Sequence, residues 1–96
     1  MTEVTLTQEA ERDLIDIYLY GAEIFGPRQA DRYAEDMADR LRTIANNPSF
    51  GADYSDVSPN LRRAEHVSHA IYYRPTPAGI HVLRVLHGRM DPGRHL

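Results

Sequence analysis

The sequence contains no cysteine, and none of its 11 basic residues is a lysine. The lack of cysteine excludes a disulfide framework, a thiol nucleophile and a thiolate metal site. No apolar run approaches the ~20 residues that a transmembrane helix needs, and the opening residues, MTEVTLTQEAERD, lack the pattern of a secretory signal. We therefore expect a cytoplasmic protein without membrane association, whose 96 residues form one domain spanning 1–96.

The charge is distributed unevenly along the chain. Residues 1–60 carry 12 acidic and 5 basic side chains, whereas residues 61–96 carry 2 acidic and 6 basic ones and all 5 histidines. The two balances, −7 and +4, sum to the net charge of −3. This asymmetry predicts one basic surface on an acidic body. Arginine suits carboxylate and phosphate groups, although codon bias would equally explain the missing lysine.

The first half of the chain predicts two helices. Thr7 can cap the first helix, Gly26 is typical of a helix end, and Pro27 of a helix start. Asn47–Pro48 ends the second helix, and so short a connection predicts an antiparallel helical hairpin. The apolar positions at helical spacing are Ala10, Leu14, Ile17, Tyr18, Gly21, Ile24 and Phe25, then Ala30, Tyr33, Ala34, Met37, Leu41, Ile44 and Ala45.

Strand-forming residues occupy the N-terminus and the second half of the chain. The predicted strands are Val4–Leu6, Leu61–Val67, Ala70–Arg74 and Ile80–His87. Residues 46–60 have turn composition and predict a loop. The order β-α-α-β-β-β predicts an α+β fold in which the helical hairpin packs on one face of a mainly antiparallel sheet. The opposite face of the sheet must then be solvated or bind a partner.

The turn TPAGI between the last two strands sets their register. A three-residue loop pairs Thr76 with Ile80 and places Arg74 and Arg84 on the same open face. A four-residue loop pairs Pro75 with Ile80 and separates the two arginines onto opposite faces. We prefer the three-residue loop, because it gives the helices the more apolar face.

In that register, several cations converge on the open face of the sheet. Tyr72 lies beside the two arginines, and either Arg62 or Arg63 joins them, because neighbours along a strand alternate between faces. The simplest interpretation is that each arginine is solvated, with its stem on apolar surface. Convergence of three from adjacent strands instead favours an anion-binding or partner-binding surface.

The sequence offers little conventional catalytic or metal chemistry. His66 and His69 lie three residues apart on a predicted extended segment and have no completing ligands, so no metal site and no cofactor are predicted. Glu65 and His87 could exchange a proton during RNA cleavage while arginines stabilise the phosphate. The preferred register points His87 away from Arg84, however, which favours an ordinary strand-end histidine.

Several stretches taken together resemble the ParE branch of the RelE/ParE superfamily of toxins from type II toxin–antitoxin modules. They are LTQEAERDLIDIYLY, GAEIFGPRQADRY, IANNPSFG, LRRAEHVSHAIYYR and IHVLRVLHGRMDPGRHL. The family fold, a helical hairpin on an antiparallel sheet, agrees with the periodicity. The resemblance implies a non-catalytic toxin that poisons DNA gyrase and is held inactive by a ParD-like antitoxin, through which alone it contacts DNA.

The resemblance also leaves an alternative, a ribosome-dependent mRNA endoribonuclease of the RelE type. This chain departs from that branch, because it has no lysine and no basic C-terminal tail with a tyrosine. By position, the resemblance implies no catalytic residue and a set of antitoxin- or target-binding residues. These are Arg62, Arg63, Tyr72, Arg74, Arg84, His87 and Arg89.

Overall fold

The computed structural model describes residues 2–96, which contain two α-helices, five strands and two short 3-10 helices, Pro48–Phe50 and Pro92–Arg94. In chain order the strands and α-helices are β1 (Glu3–Leu6), α1 (Gln8–Phe25), α2 (Pro27–Asn46), β2 (Ala52–Asp53), β3 (Arg62–His66), β4 (His69–Thr76) and β5 (Gly79–His87). The predicted order is confirmed, with the two-residue strand β2 added inside the predicted loop. Local composition could not predict β2, because it exists only through its pairing with β3.

The helices begin and end where the sequence predicts. The Thr7 hydroxyl accepts the backbone N–H of Ala10 at 3.0 Å, which caps α1. Gly26 separates the helices with a φ of 93°, a left-handed value that glycine adopts without strain. Pro27 then opens α2, where its missing N–H costs nothing. Neither helix is long and apolar enough to cross a membrane within residues 2–96.

The sheet has the strand order β1-β5-β4-β3-β2, with β1 parallel to β5 and the other neighbours antiparallel. Strand β1 covers only the first part of β5, from Gly79 to Val82. Glycine is required at this contact, since a Cβ at Gly79 would lie 2.0 Å from the carbonyl oxygen of Glu3. On the edge of β5 that faces β1, the later half of β5 therefore lies beside helix α1 and has no strand partner there.

The main core lies between the helices and one face of the sheet. Its fully buried members include Ala10, Met37, Leu41, Ile44, Ala45, Ala64, Ile71, Tyr73, Ile80, Val82 and Val85. Ile24 and Phe25, at the end of the predicted apolar stripe of α1, do not join this core, because they are 54% and 61% exposed. The outer positions Ile15 and Leu19 are exposed to a similar degree.

The predicted pairing of Thr76 with Ile80 is wrong. Thr76 pairs with Gly79 and Pro75 with Ile80, so the turn is two residues long. The Thr76 hydroxyl accepts the N–H of Gly79 at 2.9 Å and tightens this turn. The prediction failed because it placed glycine inside the loop, whereas contact with β1 holds it in the strand.

A β-bulge then compensates for the shorter turn, which by itself would have moved the later side chains of β5 to the opposite face of the sheet. The pairing shifts between Tyr73, which faces Val82, and Tyr72, which faces Arg84, so Leu83 is the extra residue. Because of this bulge, Tyr72 and Arg84 are cross-strand partners as predicted. Arg74 stands opposite His81 and not opposite Val82. The bulge therefore keeps both arginines on positions of the same face.

The second face of the sheet is not bare, contrary to prediction. It carries its own buried cluster of Leu61, Ala70, Tyr72 and Leu86, with Tyr54 and Leu83 packed against it. Tyr54 belongs to the segment before β3, and its N–H donates to the carbonyl of Leu61 at 2.9 Å. The segment that composition predicts as a simple loop thus covers part of this face with apolar side chains.

Candidate functional site

Arg84, which the sequence places on the open face, turns its guanidinium toward helix α1. Its Nε donates to Oδ2 of Asp13 at 2.7 Å, and its Nη2 donates to Oδ1 at 2.8 Å. Its Nη1 donates to the carbonyl oxygen of His95 at 3.2 Å. The prediction that Arg84 points where no helix reaches is therefore wrong. The cause is the short β1, which leaves the edge of β5 open to α1.

Arg62 and Arg74 fasten the segment that precedes β3. Nη1 of Arg62 donates to the carbonyl of Gly51 at 2.5 Å. Nε of Arg74 donates to the carbonyl of Pro59 at 2.8 Å, and its Nη2 donates to the Ser58 hydroxyl at 2.5 Å. Both guanidinium groups thus satisfy backbone carbonyls of an irregular segment, which otherwise have no partner in a ladder.

Tyr72 and Arg63 form the border between the second cluster and the end of the sheet. The Tyr72 side chain is almost fully buried at 2% exposure, so it presents little surface to a partner. Its hydroxyl accepts Nε–H of Arg63 at 3.2 Å, and Nη1 of Arg63 donates to Glu65 at 2.7 Å. The hydrogen bond with Glu65 is the main cause that raises the pKa of Arg63.

Three histidines lie in register across neighbouring strands at one end of the sheet. His66 pairs with His69, and His69 pairs with His87. The Tyr33 hydroxyl donates to the His66 carbonyl at 3.1 Å and lies 2.7 Å from Nδ1 of His69. Nε2 of His66 is buried without a hydrogen-bond partner within residues 2–96. Burial is the main cause that lowers the pKa values of His66 and His69.

Beside this row lies a polar pocket of about 400 Å³, which we call the sheet-end pocket. It is lined by Arg63, Glu65, Val67, Ser68, His69, His87, Gly88 and Arg89. The N–H of Gly88 donates to the carbonyl of Ser68 at 2.9 Å and joins the two turns that form it. Within residues 2–96, no three histidine, aspartate or glutamate side chains are arranged so that they could hold a metal ion.

Of the seven residues that the sequence assigned to binding, three converge on the sheet-end pocket. They are Arg63, His87 and Arg89, and the last two are exposed. Arg84, from which the preferred register points His87 away, does not line this pocket, and His87 lies instead with Arg63 and Arg89. The pocket also contains Glu65, which the sequence offered as a proton-exchange partner of His87, and His69, which cross-strand pairing places beside His87.

A second concavity, which we call the apolar groove, runs from the sheet end along the two helices. It has a volume of about 860 Å³. Tyr20 and Phe25 of α1, Met37 of α2 and Met90 after β5 are among its lining residues. Residues Val67, Ser68, His69 and His87 line both the groove and the sheet-end pocket. The apolar groove therefore continues directly into the sheet-end pocket with its two arginines.

Comparison with solved structures finds the same fold in a toxin–antitoxin protein. A chain titled "Chromosomal ParDE TA system from P. aeruginosa" superposes with a TM-score of 0.74 at 22% sequence identity. The match covers 91% of this chain and 96% of that one. A likeness at this identity supports the shared architecture of helical hairpin and sheet.

Sequence comparisons carry the relationship further. A protein-family model described as "ParE toxin of type II toxin-antitoxin system, parDE" matches residues 4–92. "Toxin ParE1" of Caulobacter vibrioides is 31% identical over 96 residues, which cover 100% of this chain and 99% of that protein. "Toxin ParE1" of Mycobacterium tuberculosis is 34% identical over 92 residues, which cover 95% and 94% of the two chains. This chain therefore belongs to the ParE toxin family of type II toxin–antitoxin systems.

Proposed function

We propose that this toxin arrests growth by binding DNA gyrase without catalysing a reaction itself, and that a ParD-like antitoxin holds it inactive. The family match over residues 4–92 is the observation that carries the proposal. A binding mechanism needs no catalytic group. A small protein that binds one transient state of an enzyme more tightly than the others shifts the enzyme's population toward that state.

We assign the antitoxin to the apolar groove. Phe25 lines it at 61% exposure and Met90 at 39%, and an open apolar surface of this kind is typical of a protein-binding site. A disordered segment that folds on binding can cover such a long surface. Where the groove meets Arg63 and Arg89 of the sheet-end pocket, acidic residues of the partner would complement the charge.

The seven residues predicted to bind partners then divide into two groups. Arg63, His87 and Arg89 line the sheet-end pocket, and we propose that they contact the target or the antitoxin directly. The other four support that surface from within: Arg62, Tyr72, Arg74 and Arg84. Their hydrogen bonds hold the segment before β3, the Arg63 side chain and helix α1 in place. Substituting them should affect stability as well as binding.

A ribonuclease of the RelE type is the second candidate, because Glu65, His69 and His87 line the same pocket as two arginines. In such a reaction one of these groups would take the proton of the ribose 2′-hydroxyl as its oxygen attacks phosphorus. A second group would protonate the leaving 5′-oxygen. The arginines would stabilise the charge that develops on the phosphate. We rank this function second, since the family match is to ParE toxins.

The two functions are separated by assaying the purified toxin in parallel. With gyrase, ATP and supercoiled plasmid, we expect linear and nicked DNA after protein denaturation, and none when gyrase is omitted. A stoichiometric ParD-like antitoxin should abolish this cleavage. In a translation extract we expect intact mRNA. Codon-spaced mRNA cuts together with undamaged plasmid would replace the gyrase proposal with the ribonuclease.

A further inference from the structure

We propose that the sheet-end pocket binds a phosphodiester group of a nucleic-acid strand. The inference deepens the proposed function and rests on it for its biological setting, since a gyrase complex presents DNA to the toxin. The pocket itself is defined by contacts within this chain. Its residues come from β3, the turn after it, β4, β5 and the turn that follows β5.

Two guanidinium groups at this pocket retain capacity for an anion. The Arg89 side chain is exposed and makes no hydrogen bond or ion pair with the rest of residues 2–96. Arg63 is held by Tyr72 and Glu65 through Nε and Nη1, and its Nη2 has no hydrogen-bond partner within the described chain. These contacts orient the Arg63 fork before a ligand arrives, which reduces the entropy lost on binding.

His87 supplies a ring N–H donor at the same place. Its Nδ1 accepts the backbone N–H of Arg89 at 3.3 Å. Because Nδ1 is the acceptor, the ring proton lies on Nε2, where it can donate to an anion. Ser68, whose hydroxyl lies 3.5 Å from Nδ1 of His69, adds a second donor to the pocket wall.

The charge of the pocket favours a phosphodiester over a dianion. Arg63 and Arg89 contribute two positive charges and Glu65 one negative charge, so the pocket has a net charge of +1 when the histidines are neutral. A phosphodiester carries a single negative charge and matches this balance. A phosphomonoester is largely dianionic at neutral pH, so one of its charges would stay uncompensated in the pocket and Glu65 would repel it more strongly.

The positive charge is confined to this pocket, and this limits how strongly the protein should bind a free oligonucleotide. The net charge of −3 opposes long-range attraction of nucleic acid, which agrees with the expectation from the resemblance that the toxin contacts DNA only through the antitoxin. We revise that expectation for this one pocket. Free oligonucleotides should bind weakly and at one phosphate, whereas a strand already positioned by the target would meet the pocket at high effective concentration.

The test uses the full-length toxin and short single-stranded DNA as the probe, with inorganic phosphate and an acidic peptide of equal charge as comparisons. NMR resonances of the His69 and His87 rings report on the pocket in the unaltered protein. We expect them to shift most on addition of DNA, and less with phosphate or with the peptide. RNA of the same sequence should shift them equally if only the phosphodiester is recognised.

A matched pair of variants gives the second measurement. Arg89→Gln should weaken DNA binding about tenfold, because one charge-assisted hydrogen bond is lost. It should also lower the salt slope of log affinity by about 0.7, as expected for one phosphate contact in a single strand. Arg28→Gln removes the same charge from an exposed position outside the pocket and should leave both quantities unchanged.

Unshifted histidine rings, or equal salt slopes for the two variants, would overturn the phosphodiester site. So would a peptide that shifts the rings when DNA does not, because the ligand would then be a carboxylate. These results do not depend on gyrase. A toxin that binds DNA through Arg89 but forms no gyrase cleavage complexes would refute the proposed function and leave the pocket assignment standing.

Discussion

The carboxylate of Asp13 joins the side chain of Arg84 and the backbone of Val85 at one point. Both its oxygens accept from the guanidinium at 2.7 and 2.8 Å, and Oδ2 also accepts the Val85 N–H at 3.0 Å. The two side chains are only 13% and 20% exposed. Asp13 thus accepts a backbone N–H at the edge of β5, beyond the point where β1 ends. Arg84 also donates to the carbonyl of His95.

Replacing Asp13 by asparagine should destabilise the fold by about 2 kcal/mol, because a largely buried guanidinium loses its counter-charge. The free energy of unfolding in urea measures this loss. Glu23→Gln is the matched control, since it removes a carboxylate from an exposed position of the same helix and should cost below about 0.5 kcal/mol. Equal losses for the two variants would mean that the ion pair does not support the edge of β5.

The stability of the fold should also depend strongly on Tyr73. Its ring is fully buried, and its hydroxyl donates to the Pro48 carbonyl at 2.7 Å and accepts the Gly51 N–H at 2.8 Å. Tyr73→Phe leaves both backbone groups unsatisfied, and we expect a loss of about 2 kcal/mol in urea unfolding. Tyr20→Phe removes a hydroxyl from a side chain that is 64% exposed and should be nearly neutral. A neutral Tyr73→Phe would show that water replaces both bonds.

Stability should fall as the pH drops below about 6.5. Burial lowers the pKa of His66 and of His69 from the ordinary value of 6.5. Positive charge on Arg40 adds to the lowering at His66, where Asp36 opposes it, and His87 and His66 add to it at His69. The unfolded chain then binds more protons than the folded one. The stabilisation is fully present above pH 6.5 and is lost as the pH falls through the folded-state pKa values.

Urea unfolding between about pH 7.5 and 5 tests this dependence, because the span brackets the ordinary histidine pKa. The double variant His66→Gln, His69→Gln should lose less stability than the wild type over the same pH range. Tyr33, which packs against both rings, is retained in each protein. Parallel curves for the two proteins would show that carboxylates elsewhere cause the acid sensitivity.

Antitoxin binding should depend on the apolar groove and not on the outer face of α1. Phe25 and Ile15 are both exposed apolar residues of this helix, at 61% and 58%, but only Phe25 lines the groove. Phe25→Ser should raise the dissociation constant of the ParD-like antitoxin at least about tenfold, as expected for an aromatic anchor. Ile15→Ser should change it little. Calorimetric titration measures both, and a reversed order would move the interface to the opposite side of α1.

The local elements of this fold follow from residues adjacent in the chain. The Thr7 cap, the Gly26 stop and the Pro27 start each act within a few residues, and the structure confirms all three. Helix periodicity likewise located most of the core face of α2, including Met37 and Leu41. Family membership was also readable at this level, since it rests on motifs spread along the whole chain.

The bulge, the Arg84–Asp13 contact and the sheet-end pocket depend on contacts between residues that are distant in the chain, which no local pattern specifies. The bulge at Leu83 arises because two strands of different phase must pair, and the Arg84 contact with Asp13 joins residues 71 positions apart. A shift of one residue in a strand moves a side chain to the other face, so spacing alone could not bring Arg63, His87 and Arg89 to one pocket. Composition indicated that the cations would be grouped, and the packing of strand ends against turns determined which of them remain available to a partner.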